Sequence, residues 1–210
     1  MLDGVMRKVM DPGMNRAGRW LAARGAAADA VTLVGLGLGL VAAAMLAIGV
    51  PGWVALAPLL ASRVADGLDG AVARATRKTD FGGYLDITCD FLFYGAIPLA
   101  FVLRDPGENG VAGAFLLTSF YLNGASFLGF AVLAERYGME SASRGEKSLY
   151  FTSGLLEGTE TITFFAALCL WPQAFAPLAF AFGTLCFVTA ASRVMLAWRV
   201  FGGDVQSIHP

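Results

Sequence analysis

The sequence is short of charge. Only 15% of its 210 residues are Asp, Glu, Lys or Arg, against about 25% in an ordinary soluble domain. Hydrophobic residues make up 57% and the mean hydropathy is +0.64, which argues for a membrane protein. Cysteine is scarce too. Cys89, Cys169 and Cys186 stand alone in apolar runs; their number is odd and no spacing matches a zinc site. They read as small buried apolar residues. There is one histidine, and none near the acidic residues discussed below, which turns any metal chemistry towards oxygen donors. No apolar h-region with a small-residue cleavage site opens the chain, so no removable signal peptide is expected. Internal repeats and low-complexity tracts are lacking. The net charge of -1 gives no reason to expect a nucleic-acid partner.

The chain holds long apolar runs instead. A spanning helix needs about 20 mainly apolar residues, and six stretches qualify: 30–50, 53–76, 82–103, 111–135, 150–171 and 174–200. Short turn-like loops join them, including Pro51-Gly52, 104–107 and 171–173. Arg7, Lys8, Arg16, Arg19, Arg24, Arg77, Lys78, Arg136, Arg144, Lys147 and Arg199 fall on one side of this arrangement, and Arg104 alone on the other. The positive-inside rule then puts both termini in the cytoplasm. The expected fold is all-α: one polytopic membrane domain over 1–210, with a six-helix bundle over 30–200. Residues 1–25 place Leu2, Val5, Met6, Val9, Met10 and Met14 at helical spacing among charges, which predicts an amphipathic helix in the membrane interface with Pro12 as a bend point. The alternative is a helix packed on the bundle by the same stripe. Asp29 is expected to cap the first span, with Thr32 just inside it. Gly35 and Gly39 form a small-xxx-small pair suited to helix packing.

Four aspartates break the apolar pattern. Asp66, Asp69, Gly70, Ala73 and Arg74 share one helical face, and Asp86 and Asp90 share another at i, i+4. The short connection between the two helices brings the four carboxylates together. An intramembrane carboxylate is costly and is a functional candidate by default. Oxygen-only donors point to Mg²⁺ or Mn²⁺, and a pair of divalent ions is suited to clamping a diphosphate. Gly70 and Ala73 clear room for a ligand, and Arg74 can fork onto a phosphate. The structural alternative is ion pairing, with Asp86 or Asp90 on Arg63.

This segment resembles the CDP-alcohol phosphotransferase signature, D-x2-D-G-x2-A-R-x(7 or 8)-G-x3-D-x3-D. Asp66, Asp69, Gly70, Ala73, Arg74, Gly82, Asp86 and Asp90 fill every fixed position, with seven residues between Arg74 and Gly82. Six spans after an interfacial helix, and the chain length, are also similar to small bacterial inner-membrane members. The resemblance implies an enzyme that moves a phosphatidyl group from CDP-diacylglycerol to an acceptor alcohol and releases CMP. Asp66 and Asp86 would bridge two divalent ions, Asp69 and Asp90 would complete the two sites, and Asp90 would take the acceptor proton. Gly70 and Arg74 would contact the nucleotide diphosphate, with Asp29 and Thr32 in the nucleotide-contacting segment. A homodimer in the bacterial inner membrane is also implied.

The acceptor side is less marked. Glu157 and Glu160 share a face of the fifth span. They either bind hydroxyls or an amine of the acceptor, or pair with Arg193 or Arg63. Lys147, Arg144 and Arg136 either meet a phosphorylated acceptor or enforce topology. Glycerol phosphate, inositol phosphate, serine, another lipid and a simple polyol all stay open as acceptors. The rival readings are a cation-coupled transporter using buried carboxylates, and a non-catalytic scaffold.

Overall fold

Apolar runs become helices wherever the structure describes them. The computed structural model describes residues 3–138 and 158–202. Helices α1 (Asp3–Ala23), α2 (Ala28–Ala47), α3 (Gly52–Ala75), α4 (Asp80–Arg104), α5 (Pro106–Arg136), α6 (Gly158–Leu170) and α7 (Phe175–Phe201) follow in order, with a 3-10 turn at Pro172–Ala174 before α7. No strand occurs among the described residues. Gly25 and Gly49, at φ 83° and 84°, make the turns that precede α2 and α3, a backbone region that favours glycine. The second turn thus centres on Gly49, and Pro51 is the residue before α3.

Four helical stretches are long and apolar enough to cross a membrane: α2, α4, α5 and Pro172–Phe201. Helix α3 has the length, 24 residues, but Arg63, Asp66, Asp69 and Arg74 dilute its hydropathy. Of the expected fifth span, the described part is the 13-residue α6; the rest lies outside the described residues. Helix α1 runs unbroken through Pro12. Its Gly18 lies against Ala71, and the Met14 methyl lies against Gly67 of α3. For residues 14–18, therefore, packing on the bundle is what the structure shows.

Small residues set the spacing around the site. A Cβ on Gly35 would meet Ala65, and one on Gly39 would meet Phe93 and Ser62, so α2 closes directly on α3 and α4. Lipid tails are as apolar as leucine, so close packing rather than hydrophobicity drives such contacts in a bilayer. The core carries buried Leu46, Leu59, Phe93, Ile97, Phe101, Leu116, Phe165 and Phe175. Phe101 stacks on Phe175 at 4.9 Å between centroids, and Phe164 on Phe182 at 4.1 Å. All three cysteines are buried and free.

Candidate active site

The site is a helical hairpin. Thr76 Oγ1 donates to the Val72 carbonyl at 2.9 Å as α3 ends, and Thr79 Oγ1 accepts the Gly82 amide N–H at 3.0 Å as α4 begins. Only residues 76–79 separate the helices. The carboxylates on their facing turns therefore meet. One oxygen each from Asp66, Asp69 and Asp86 lies within 4.8 Å of the others. Asp69 is buried and accepts from Thr32 Oγ1 of α2 at 2.6 Å.

Asp90 is placed differently. Its Oδ1 accepts from Arg63 Nη1 at 2.7 Å, and the same nitrogen lies 3.4 Å from Asp66 Oδ1. The pairing of Asp90 with Arg63 is thus realised, and Asp90 stands beside the triad rather than in it. The triad has the donor chemistry of a hard-cation site: three carboxylates, no nitrogen or sulfur ligand, and like charges that need a cation to stay together. Two oxygens on opposite sides of Mg²⁺ are about 4.2 Å apart, so the observed spacing needs only small side-chain rotation to close on an ion. The residues fit a divalent metal.

Next to the triad is a cleft of about 220 Å³. Ala28, Asp29 and Thr32 line it from α2, Asp69, Gly70, Ala73 and Arg74 from α3, and Gly82, Gly83 and Asp86 from α4, with Arg77, Lys78 and Thr79 between the helices. A Cβ on Gly82 would meet Thr79 Oγ1 and Asp29 Oδ1, so this glycine keeps the cleft open. Asp29, Thr32, Gly70 and Arg74 are brought together as the sequence implies. Asp29 is not a cap, however. Ala27 is the residue before α2 and makes no side-chain cap bond; Asp29 lies inside the first turn, where it faces the cleft. Arg74 Nη2 donates to Asn15 Oδ1 of α1 at 3.0 Å.

The expected acceptor residues are not part of this cleft. Lys147 and Glu157 lie outside the described residues, and Glu160 sits in the first turn of α6. Arg193 of α7 is buried against α5, where its Nη1 lies 3.0 Å from both Asn123 O and Asn123 Oδ1 and 2.8 Å from Ser126 Oγ. Sequence reasoning treated Arg77 and Lys78 only as topology markers and Arg63 only as a pairing partner. The signal for Arg63 was its place one turn before Asp66. Asn15 had none, since it is 59 residues from Arg74.

Comparison with known proteins decides the family. The profile of the CDP-alcohol phosphatidyltransferase family matches residues 26–201. The chain belongs to the CDP-alcohol phosphatidyltransferase family. The inner membrane protein YnjF of Escherichia coli (strain K12) is 43% identical over 196 residues, covering 92% of this chain and 94% of the relative. The fold is shared with the crystal structure of Mycobacterium tuberculosis phosphatidylinositol phosphate synthase with CDP-DAG bound, at a TM-score of 0.70 and 20% identity over 94% of this chain and 97% of the other. Membership of a phosphatidyltransferase family takes the place of the transporter alternative.

Proposed function

We propose that the chain transfers a phosphatidyl group from CDP-diacylglycerol to the hydroxyl of an acceptor alcohol and releases CMP. The observation that carries this reading is the Asp66–Asp69–Asp86 triad opening onto a cleft lined by Gly70, Arg74, Arg77 and Lys78. The nucleotide diphosphate lies in that cleft. Three cations along one wall match its charge, and Arg74 presents a planar fork to a phosphate oxygen. Gly70, Ala73, Gly82 and Gly83 let it reach the backbone. Asp29 and Thr32 complete the wall on α2, and Thr32 also orients Asp69 through its 2.6 Å hydrogen bond.

Asp66, Asp69 and Asp86 would hold divalent Mg²⁺ or Mn²⁺, with Asp90 as the further ligand if two ions bind. Bound there, the metal would supply charge stabilisation to the phosphates and the leaving CMP and lower the pKa of the acceptor hydroxyl. Asp90 takes the acceptor proton. The hydroxyl oxygen bonds to the phosphorus that carries the diacylglycerol, the bond from that phosphorus to the CMP oxygen breaks, and CMP leaves with the electron pair.

Arg193 and Glu160, with Lys147 and Glu157, form the acceptor side. The protein works as a homodimer of six-span subunits in the bacterial inner membrane, where its Escherichia coli relative is named as residing. Both termini face the cytoplasm, as the distribution of Arg and Lys requires, and α1 lies at that interface. The test is lipid mass spectrometry on purified protein given CDP-diacylglycerol, Mn²⁺ and a panel of alcohols, phosphorylated and not. A new phospholipid carrying one of them is expected; CDP-diacylglycerol left unchanged across a broad panel would contradict the reading.

A further inference from the structure

Arg63 is a buried cation among costly anions, and the reaction described above gives it no part. Its side chain is 8% exposed. The contacts around it are specific. Nη1 donates to Asp90 Oδ1 at 2.7 Å and lies 3.4 Å from Asp66 Oδ1, Nη2 lies 3.2 Å from Ser62 Oγ, and the guanidinium carbon sits 3.8 Å above the Phe93 ring. Phe93 is itself fully buried and packs edge-on to Phe165 at 5.8 Å. The Nε atom is buried and has no hydrogen-bond partner among the described residues. An unmet buried donor costs about 1–3 kcal/mol, so other contacts must be what hold the guanidinium in this pose.

Helical spacing explains the pose. Arg63 and Asp66 are i, i+3 on α3; Asp90 and Phe93 are i, i+3 on α4. The planar guanidinium lies across the α4 face, stacking on the Phe93 ring while Nη1 donates to the Asp90 carboxylate. A lysine ammonium has no plane to stack and no second nitrogen to reach Ser62 while the first meets Asp90. The consequence is a division of the four aspartates. Asp90 is one helical turn beyond Asp86, close enough to be drawn to a cation in the triad. Arg63 engages it instead.

We propose that Arg63 is a positioning residue that holds Asp90 apart from the triad, so that Asp66, Asp69 and Asp86 alone hold the divalent ion in the free protein and Asp90 is kept for the acceptor. The role given to Asp90 rests on the phosphatidyl-transfer reading; the placement of Arg63 does not. A metal-binding cycle separates the two. Mn²⁺ binding to the purified full chain, without donor lipid, is followed by the electron paramagnetic resonance of free Mn²⁺ in the unaltered protein, Asp86→Asn, Asp90→Asn, Arg63→Gln and the double variant of the last two.

Asp90→Asn should weaken Mn²⁺ binding far less than Asp86→Asn does, because it removes no ligand and only leaves the Arg63 charge unmatched beside Asp66. Arg63→Gln releases Asp90 to the ion and should tighten binding about tenfold, the scale of coupling between contacting charged groups. The double variant should lose that gain. A loss of Mn²⁺ binding in Asp90→Asn as large as in Asp86→Asn overturns the proposal. So does a double variant that keeps the gain, which would mean that removal of a nearby positive charge was the whole effect. If Arg63→Gln does not fold, Arg63→Lys serves in its place, with a smaller gain expected and equal or weaker binding contradicting the idea. On turnover, Arg63→Gln should lower kcat about tenfold or more while the KM for CDP-diacylglycerol stays within about twofold, and Arg63→Lys should recover part of the loss. A rise in donor KM with kcat unchanged would overturn the positioning role. Absence of CMP release by the unaltered protein with every acceptor would end the phosphatidyl-transfer reading and leave the Mn²⁺ cycle to judge Arg63.

Discussion

Arg63 and Arg193 are both deep in the bundle, and they are satisfied by different chemistry. Arg63 faces carboxylates, Asp90 at 2.7 Å and Asp66 at 3.4 Å. Arg193 rests on neutral oxygens, the Asn123 carbonyl and amide and the Ser126 hydroxyl, with Phe127 at 5.6 Å. A cation matched by a carboxylate leaves little field for a ligand. One met, among the described residues, by dipoles keeps its charge unmatched there in a medium of low dielectric, where an anion is strongly attracted. Around Arg63 the α3–α4 face thus leaves an excess of carboxylate for metal, while the cations offered to the diphosphate are Arg74, Arg77 and Lys78 along the cleft. Arg193 on the α5–α7 face is left to an anion, which suits the acceptor role proposed for it.

The comparison breaks most completely at the metal cradle. Replacing Asp66 or Asp86 by Asn should reduce CMP release at least about 100-fold, the scale seen when a group that stabilises transition-state charge is removed. Assays at raised Mn²⁺ should not restore it. Asp90→Asn should also abolish transfer yet keep CDP-diacylglycerol binding, read by equilibrium binding of labelled donor. Equal turnover in that variant would remove Asp90 from the base role.

Next in size come the phosphate and acceptor contacts. Arg74→Ala should raise the donor KM about tenfold or more, since a charge-assisted hydrogen bond is worth roughly 1.5–3 kcal/mol; Arg74→Lys should recover only part, because a lysine lacks the fork. Arg193→Gln should raise the KM of the acceptor by a similar factor and leave the donor KM within about twofold. An effect on the donor alone would take Arg193 out of the acceptor site. The smallest change is expected from Thr32→Val, which removes the 2.6 Å hydrogen bond to Asp69. A loss of about 1 kcal/mol, or roughly fivefold in kcat/KM, should appear in steady-state assays.

How far the sequence led depends on how local each feature is. The aspartates were legible because i, i+3 and i, i+4 spacing puts side chains on one helix face whatever the tertiary fold. The turn residues 76–79 are few enough that the two faces had to meet. Helix ends agreed to within a few residues for α2, α3, α4 and α7, since apolar length and turn residues are local signals as well. What the spacing could not carry was contact between elements distant in sequence. Asn15 meets Arg74, and Gly18 meets Ala71, through the docking of α1. The same amphipathic stripe suits an interface and a bundle equally, so its pattern alone could not choose. Arg77 and Lys78 read as loop charges until the hairpin turned them into the cleft. Arg63 was visible as a cation near Asp66, but its choice of Asp90 depends on the register of α3 against α4.

The most direct test of the central claim is CMP release from CDP-diacylglycerol by the purified protein in lipid vesicles. The account predicts release that requires an acceptor alcohol and Mg²⁺ or Mn²⁺, and that disappears in Asp66→Asn. Release that persists at full rate in Asp66→Asn, or after chelation of divalent metal, would contradict it.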